Sequence, residues 1–387
     1  MKVIVCAGPS PSTVFSHVPL GAALRDAGHQ VMMTSCLEEM VPTIVGVGFP
    51  AVPITDPDLP AEKIISPDGK MPQIPDVPIE RERLTGRWYA RLEAVTLDAL
   101  LAFAEDWRPD VVVGGVNAYA APLLATRLGV PYVRHAWDIN DASEMDRGAT
   151  EELGERLAEL GLDGLPEPDM MIEITPPSLL LPDAAPAQMM RWIPGNSQCR
   201  LEPWMYTRGA DARVGVTIGT GVMRHNELDF LQQIVENVTA VDAEVVVPVQ
   251  NEAATLLSER VSGIRTGWIP LDILAPTCDV LVHQTGGSTM MTALSFGVPQ
   301  ILIPDPGMWR QTEMANRLAA TGAAIVLTPE EATSDAIAKS CQEMISNPSY
   351  AAAAAELARE IAALPLPSEV ARHIERLVRD APRGRRA

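Results

Sequence analysis

Positive charge is in short supply in this sequence. Thirty Lys and Arg stand against fifty Asp and Glu, a formal charge of -20, and so acidic an exterior repels phosphate backbones and anionic lipid. Nucleic acid and membrane surfaces are therefore not expected partners. A small anion remains admissible, because helix N-termini and backbone N–H groups can hold a diphosphate inside an acidic protein. Cysteine is also scarce: Cys6, Cys36, Cys199, Cys278 and Cys341 are widely spaced, odd in number and include no CxxC pair. That pattern excludes the usual zinc and redox spacings and reads as reduced packing residues. No apolar run approaches the ~20 residues of a membrane span. The opening Met1-Lys2-Val3-Ile4-Val5-Cys6-Ala7-Gly8 reads as a buried strand and turn rather than a signal peptide. A cytoplasmic enzyme is expected.

What is present is a chain of 387 residues, 47% hydrophobic and 21% charged, too long for one ordinary core and suited to two domains. The apolar run Val3 to Cys6, the turn Gly8 to Ser12 and helical spacing from Phe15 to Leu24 open the chain as a βαβ unit continuing into Val31 to Thr34. Residues 50 to 80 are rich in proline, too irregular for a core element and long enough for a functional loop. Leu84 to Phe103 is expected as one amphipathic helix, followed by a strand at Val111 to Val113 and a helix from Ala118 to Leu128. Prolines crowd the chain again from Pro166 to about Thr207, and a second alternating series starts at Val214. The expected domains are residues 1–205 and 206–365, with 366–387 a C-terminal helix and tail that packs back on the first. In open parallel sheets ligands sit beyond the carboxyl ends of the strands, so function is expected in a cleft between two such domains.

One segment has the composition of a phosphate site. The strand Val280-Leu281-Val282 runs into His283-Gln284-Thr285-Gly286-Gly287-Ser288-Thr289 and then the apolar helix Met290 to Phe296. Glycines let backbone approach a ligand, the helix presents open N–H groups with a favourable dipole, and His283 adds a donor that can become cationic. Taken singly, a Gly-Gly pair is an ordinary turn and a buried His an ordinary core residue.

The wider stretch settles the context. From Trp268-Ile269-Pro270-Leu271 through Asp279-Val280-Leu281-Val282-His283 and Gly297-Val298-Pro299-Gln300 to Arg317-Leu318, about fifty residues in order, it resembles the donor signature of GT-B glycosyltransferases that decorate natural products. The resemblance implies an α/β fold of two Rossmann-like doubly wound domains facing across a cleft, the first binding acceptor and the second the nucleotide sugar. It implies a nucleotide base near Trp268 and Leu271, and a diphosphate on His283, Gly286, Gly287, Ser288 and Thr289, with Thr220 also facing the phosphates. The family's Asp-Gln pair for sugar hydroxyls falls here on Arg310 and Gln311. A buried carboxylate suits a hydroxyl-rich sugar and is costly against a deoxygenated one, so its loss points to a deoxysugar donor.

The acceptor half departs further. Many family members carry a catalytic His sixteen residues before the His of the Gly-His pair, which counts back from His29 to Thr13, and an Asp partner where this chain has Gly114-Gly115. His17, one helical turn after Thr13, is either a displaced base or a core residue. Thr13-Val14-Phe15, Thr85-Gly86-Arg87-Trp88, Ala121-Pro122-Leu123-Leu124, Trp137-Asp138 and the segment Leu201 to Arg208 resemble the urdamycin-type aromatic polyketide C-glycosyltransferases. That resemblance implies Asp138 as the acceptor base, the alternative for Asp138 being a helix cap. It also implies an inverting transfer from a TDP-deoxysugar such as TDP-olivose to an aromatic polyketide, and a homodimer. Ser12, Thr13, Ile79 and Trp88 are the expected acceptor contacts. O-glycosyl transfer is the alternative chemistry, and a non-catalytic auxiliary partner of a glycosyltransferase the alternative of another class.

No cofactor or metal is expected. Asp56-Pro57-Asp58 matches a metal motif by letter but sits in the proline-rich loop. A dinucleotide fingerprint beginning Gly219-Thr220-Gly221 would need its third glycine at Arg224, and so fails.

Overall fold

The computed structural model describes residues 1–55, 64, 73–219, 225–305 and 309–381. Two compact units emerge: residues 1–174, 183–191 and 365–387 form the first, and residues 175–182 and 192–364 the second. The C-terminal helix Pro367–Asp380 thus belongs with the N-terminal sheet. His29 Nε2 meets the Glu375 carboxylate at 2.9 Å and ties that helix to the turn after the first helix.

The first unit is built on a seven-stranded parallel sheet in the order β3-β2-β1-β4-β5-β6-β7. Its strands are β1 (Lys2–Ala7), β2 (Gln30–Ser35), β3 (Ala51–Val52), β4 (Val111–Gly115), β5 (Tyr132–His135), β6 (Met170–Glu173) and β7 (Gln188–Met189). The central strands β1 and β4 are continuous apolar runs because helices cover both faces. After β1, Ser10 in extended conformation caps the helix Pro11–Asp26, with Thr13 closing the capping box and Pro11 in the first turn. Gly28, at φ 86°, then reverses the chain into β2.

The single helix expected from Leu84 to Phe103 is two, Pro78–Ala94 and Leu97–Trp107. Two β-branched residues, Val95 and Thr96, stand at the break, and the Thr96 hydroxyl donates to the Glu93 carbonyl at 2.8 Å, competing with the helical bond. The helix Pro78–Ala94 crosses Ser143–Glu152 backbone to backbone. A Cβ added at Gly86 would lie 1.9 Å from the Met145 carbonyl oxygen, and one at Gly148 1.9 Å from that of Arg83. Arg83–Glu144 and Arg91–Glu152, each at 2.6 Å, and Arg87–Glu151 pair along the same crossing.

The second unit carries a six-stranded parallel sheet in the order β10-β9-β8-β11-β12-β13. These are β8 (Arg213–Thr217), β9 (Glu244–Pro248), β10 (Ile264–Gly267), β11 (Val280–His283), β12 (Gln300–Leu302) and β13 (Ala324–Val326). In β11, Val280 and Val282 pack with Ile337, Cys341 and Met344, while Leu281 packs on the other face with Met205 and Ala293. By strand alternation His283 shares the Leu281 face, the one covered by the helix Gly287–Ser295. Arg213, wholly buried, is satisfied by Glu244 at 2.6 Å, the Thr277 hydroxyl at 2.8 Å and the carbonyls of Trp204 and Thr207, so its charge is paired as burial requires. Among the described residues no helix is long and apolar enough to cross a membrane.

Each sheet reverses strand order once, between β1 and β4 and between β8 and β11. At such a switch point the connections leave in opposite directions and open a crevice beyond the strand ends.

Candidate active site

At the β8/β11 switch point His283 lies in register with Thr217. The chain then turns through Thr285, at φ 56°, a strained conformation for a β-branched residue. Thr285 is wholly buried and its hydroxyl has no partner among the described residues. The turn delivers Gly286 in extended conformation and the helix Gly287–Ser295, whose start no side chain caps among the described residues. Its first N–H groups are therefore open to a ligand at the positive end of the dipole.

His283 is 2% exposed. Its Nε2 meets the Gln300 side-chain oxygen at 2.8 Å, and the Gln300 amide nitrogen in turn donates to the Met290 carbonyl at 3.4 Å. Nδ1 is buried without a partner among the described residues. Burial lowers the ring's pKa to about 4, so it is neutral near pH 7. With the proton on Nε2, Nδ1 presents a lone pair rather than the ready donor that the sequence suggests. Gln300 was not among the expected site residues. The readable signal was a polar residue opening the buried run Gln300-Ile301-Leu302-Ile303.

The β1/β4 crevice differs. His17 is 1% exposed; its Nδ1–H donates to the Thr13 carbonyl at 2.7 Å, leaving Nε2 buried and unpartnered among the described residues. His135, at the end of β5, repeats the arrangement: Nδ1 bonds the Ala136 carbonyl and Nε2 has no partner there. The two rings lie 5.0 Å apart between centroids. Burial lowers their pKa values to about 4 and about 3, His17 adding repulsion to His135. Gly115 explains the missing acidic partner, since a Cβ there would stand 3.0 Å from His17 Cε1 and 3.5 Å from the Trp137 ring. The imidazole and indole crowd the space where a side chain at that position would begin.

Asp138, 4% exposed, accepts from the Trp137 indole N–H on one oxygen and from the Asn140 N–H on the other, both at 2.9 Å. Asn117, fully buried two residues beyond β4, has neither side-chain atom paired among the described residues. Neither His135 nor Asn117 was expected as a site residue, because a His in a strand and an Asn in a loop carry no local pattern.

The remaining expected residues fall as follows. Thr13 is a cap residue, its hydroxyl donating to the Ser10 carbonyl at 2.8 Å, and Ser12 meets the Ser10 hydroxyl at 3.0 Å. Ile79 is exposed, and Trp88, on the same helix, is half-buried with an enclosed indole nitrogen. In the second unit Trp268 anchors its indole N–H on the Ser197 carbonyl at 3.1 Å, and Leu271 packs beside Leu274 and Met205. Ser288 and Thr289 are half-buried in the first turn of their helix. Gln311 accepts the Asp305 N–H at 2.9 Å, beside a half-buried Arg310. Thr220 and Asp56-Pro57-Asp58 lie outside the described residues.

Two doubly wound parallel sheets, one ending in an uncapped helix start beside a buried histidine, match the solved structures of GT-B glycosyltransferases, the class to which the chain belongs. The chain belongs to the family described as erythromycin biosynthesis protein CIII-like, whose N-terminal domain matches residues 22–219 and whose C-terminal domain matches residues 232–377. It is 32% identical over 376 residues to the L-demethylnoviosyl transferase of Streptomyces niveus, covering 96% of this chain and 97% of that one. It is 27% identical to the aclacinomycin-T 2-deoxy-L-fucose transferase of Streptomyces galilaeus, covering 100% and 98% of the two chains. Among solved structures, the glycosyltransferase SsfS6 of Streptomyces sp. SF2575, complexed with thymidine diphosphate, superposes with a TM-score of 0.85 at 32% identity, over 97% of this chain and 99% of that one.

Proposed function

We propose that this chain transfers a deoxysugar, with inversion and without a metal, from a TDP-deoxysugar such as TDP-olivose to an aromatic polyketide, forming a carbon–carbon bond. The observation that carries the donor half is the uncapped start of the helix Gly287–Ser295 beside the buried, unpartnered Nδ1 of His283. Open N–H groups at a helix start are a diphosphate's natural partners. The sugar-transferring names of the relatives and the thymidine diphosphate in SsfS6 support the same donor. In this reading Trp268 and Leu271 adjoin the base, Arg310 and Gln311 the sugar, and Thr220, Ser288 and Thr289 the phosphates.

The acceptor half rests on the β1/β4 crevice, whose buried imidazoles present lone pairs, complementary to a hydroxyl that donates. Asp138 takes the phenolic proton. The electron pair released by the O–H bond moves to the ortho ring carbon, which attacks the anomeric carbon as the bond to diphosphate breaks. That carbon's proton then leaves to solvent, its bonding pair returning to the ring, and the proton held by Asp138 goes back to the oxygen, which restores the phenol and frees the carboxylate. Both Asp138 oxygens keep lone pairs beyond the N–H bonds they accept, and those bonds orient the carboxylate. The second reading takes His17 as base and oxygen as the attacking atom, and the bare Nε2 of His17 favours it.

The test is incubation of the full chain with a panel of TDP-deoxysugars and an aromatic polyketide aglycone, followed by acid. A C-glycoside survives and an O-glycoside releases sugar. Asp138→Asn is expected to lower turnover by at least about 100-fold with donor affinity unchanged. Full activity in Asp138→Asn together with loss in His17→Ala would transfer the role to His17.

A further inference from the structure

We propose that Gln300 fixes the tautomer of His283 and so makes diphosphate binding an event that adds a proton to that ring. The inference rests on the donor reading above and concerns how the site achieves it. A side-chain carbonyl oxygen only accepts, so the 2.8 Å contact to Gln300 requires the imidazole proton on Nε2. Rotating the Gln300 amide by half a turn would reverse the tautomer, but would set its oxygen against the Met290 carbonyl that now accepts its N–H. The backbone of the helix Gly287–Ser295 therefore holds Gln300, and Gln300 holds the ring.

The consequence follows from counting donors. Nδ1 is the buried, unpartnered ring atom, and in the free protein it carries a lone pair. A phosphate oxygen is also an acceptor, and two acceptors facing each other repel. Binding becomes favourable when a proton from solvent occupies Nδ1. The imidazolium then donates from Nε2 to Gln300 and from Nδ1 to phosphate, a charge-assisted bond. When the nucleoside diphosphate leaves, that proton returns to solvent.

Among the described residues the surroundings leave this equilibrium to the ligand. β8 brings Thr217 beside His283, β12 brings Leu302 and Gln300, and the helix Gly287–Ser295 brings Met290, none of them ionisable. The helix Ser334–Ser346, on the opposite face of β11, brings Cys341, whose thiol burial pushes up to about 12. Burial and the Gln300 bond are the influences on the ring itself.

The test uses the full chain labelled with 15N-histidine, six imidazoles in all, titrated with thymidine diphosphate at about pH 8, where the ligand is already fully ionised. His283→Gln assigns the signal by its loss. The expected spectrum of the free protein shows one bare and one protonated nitrogen; that of the complex shows two protonated nitrogens. Affinity is expected to fall by up to tenfold per pH unit above pH 7. Gln300→Leu, a positioning variant, should bind with affinity independent of pH and keep the ring neutral in the complex, because the Nδ1–H tautomer becomes available. A neutral His283 in the wild-type complex would overturn the proposal while leaving the donor site standing. Absence of thymidine diphosphate binding altogether would overturn the donor reading and this inference with it.

Discussion

In the first unit the helix starts beside the crevice are occupied by the protein's own groups. Ser10 and Thr13 close the start of the helix after β1, and the Glu93 carboxyl accepts the Ala120 N–H at the start of the helix after β4. What remains unpaired there, among the described residues, are imidazole nitrogens with lone pairs and both side-chain polar atoms of Asn117. In the second unit the helix after β11 has no side-chain cap among the described residues, so N–H groups remain open there. Two crevices of the same topology thus differ in whether the helix start beside them is closed or open. The open start is complementary to an anion, and the difference arises from a few capping residues rather than from the sheets.

The comparison can be broken from either side. The largest effect is expected at Glu93, 3% exposed, whose pKa burial raises from 4.5 to about 7. Below pH 4.5 folded and unfolded chains are both protonated. Between there and pH 7 the unfolded chain releases its proton while the folded one retains it, so stability declines until the folded carboxyl itself ionises. Glu93→Gln, which can still accept from Ala120, is expected to leave stability near pH 4.5 unchanged and raise it at pH 8 by about 3 kcal/mol. Urea unfolding of both proteins at the two pH values measures this, and equal gains at both would show that Glu93 is not held protonated.

Next comes the attempt to close the helix start beside the second crevice. Gly286 is extended, and a Cβ there would meet only Thr289, at 3.6 Å, so Gly286→Asp fits and can cap the helix. It is expected to stabilise the fold by a few tenths of a kcal/mol while weakening thymidine diphosphate binding about 100-fold, because its carboxylate takes the N–H groups and repels the anion. Calorimetric titration beside a thermal melt reads both signs. Tighter binding would mean the phosphates sit elsewhere.

The smallest effect belongs to Gly115→Ala, whose methyl carbon would press on His17 from 3.0 Å. Turnover is expected to fall about tenfold with donor affinity untouched, since the two crevices are built from different strands. A change in donor affinity instead would contradict that division.

How much of this was legible depended on whether a feature is local in sequence. The strand, Gly-Gly turn and helix from Val280 to Ser295 could be read because each residue type acts on its own neighbours. The doubly wound order followed from alternation of apolar runs. The division of Leu84–Phe103 into two helices was harder to see, since it turns on a Thr96 hydroxyl bonding the chain three residues back. Gln300 and His135 escaped notice because their roles come from a neighbouring strand or ring. The significance of Gly115 was half visible: the absence of an acid was plain, but not that His17 occupies the space.

The Gly86–Gly148 crossing has a consequence for variation. Two helices in backbone contact tolerate no side chain at the crossing point, so neither glycine can drift. The chain ahead of Pro78 and the chain from Asp138 into Ser143 are both attached to that fixed joint. Segments outside the joint can vary without parting the two helices.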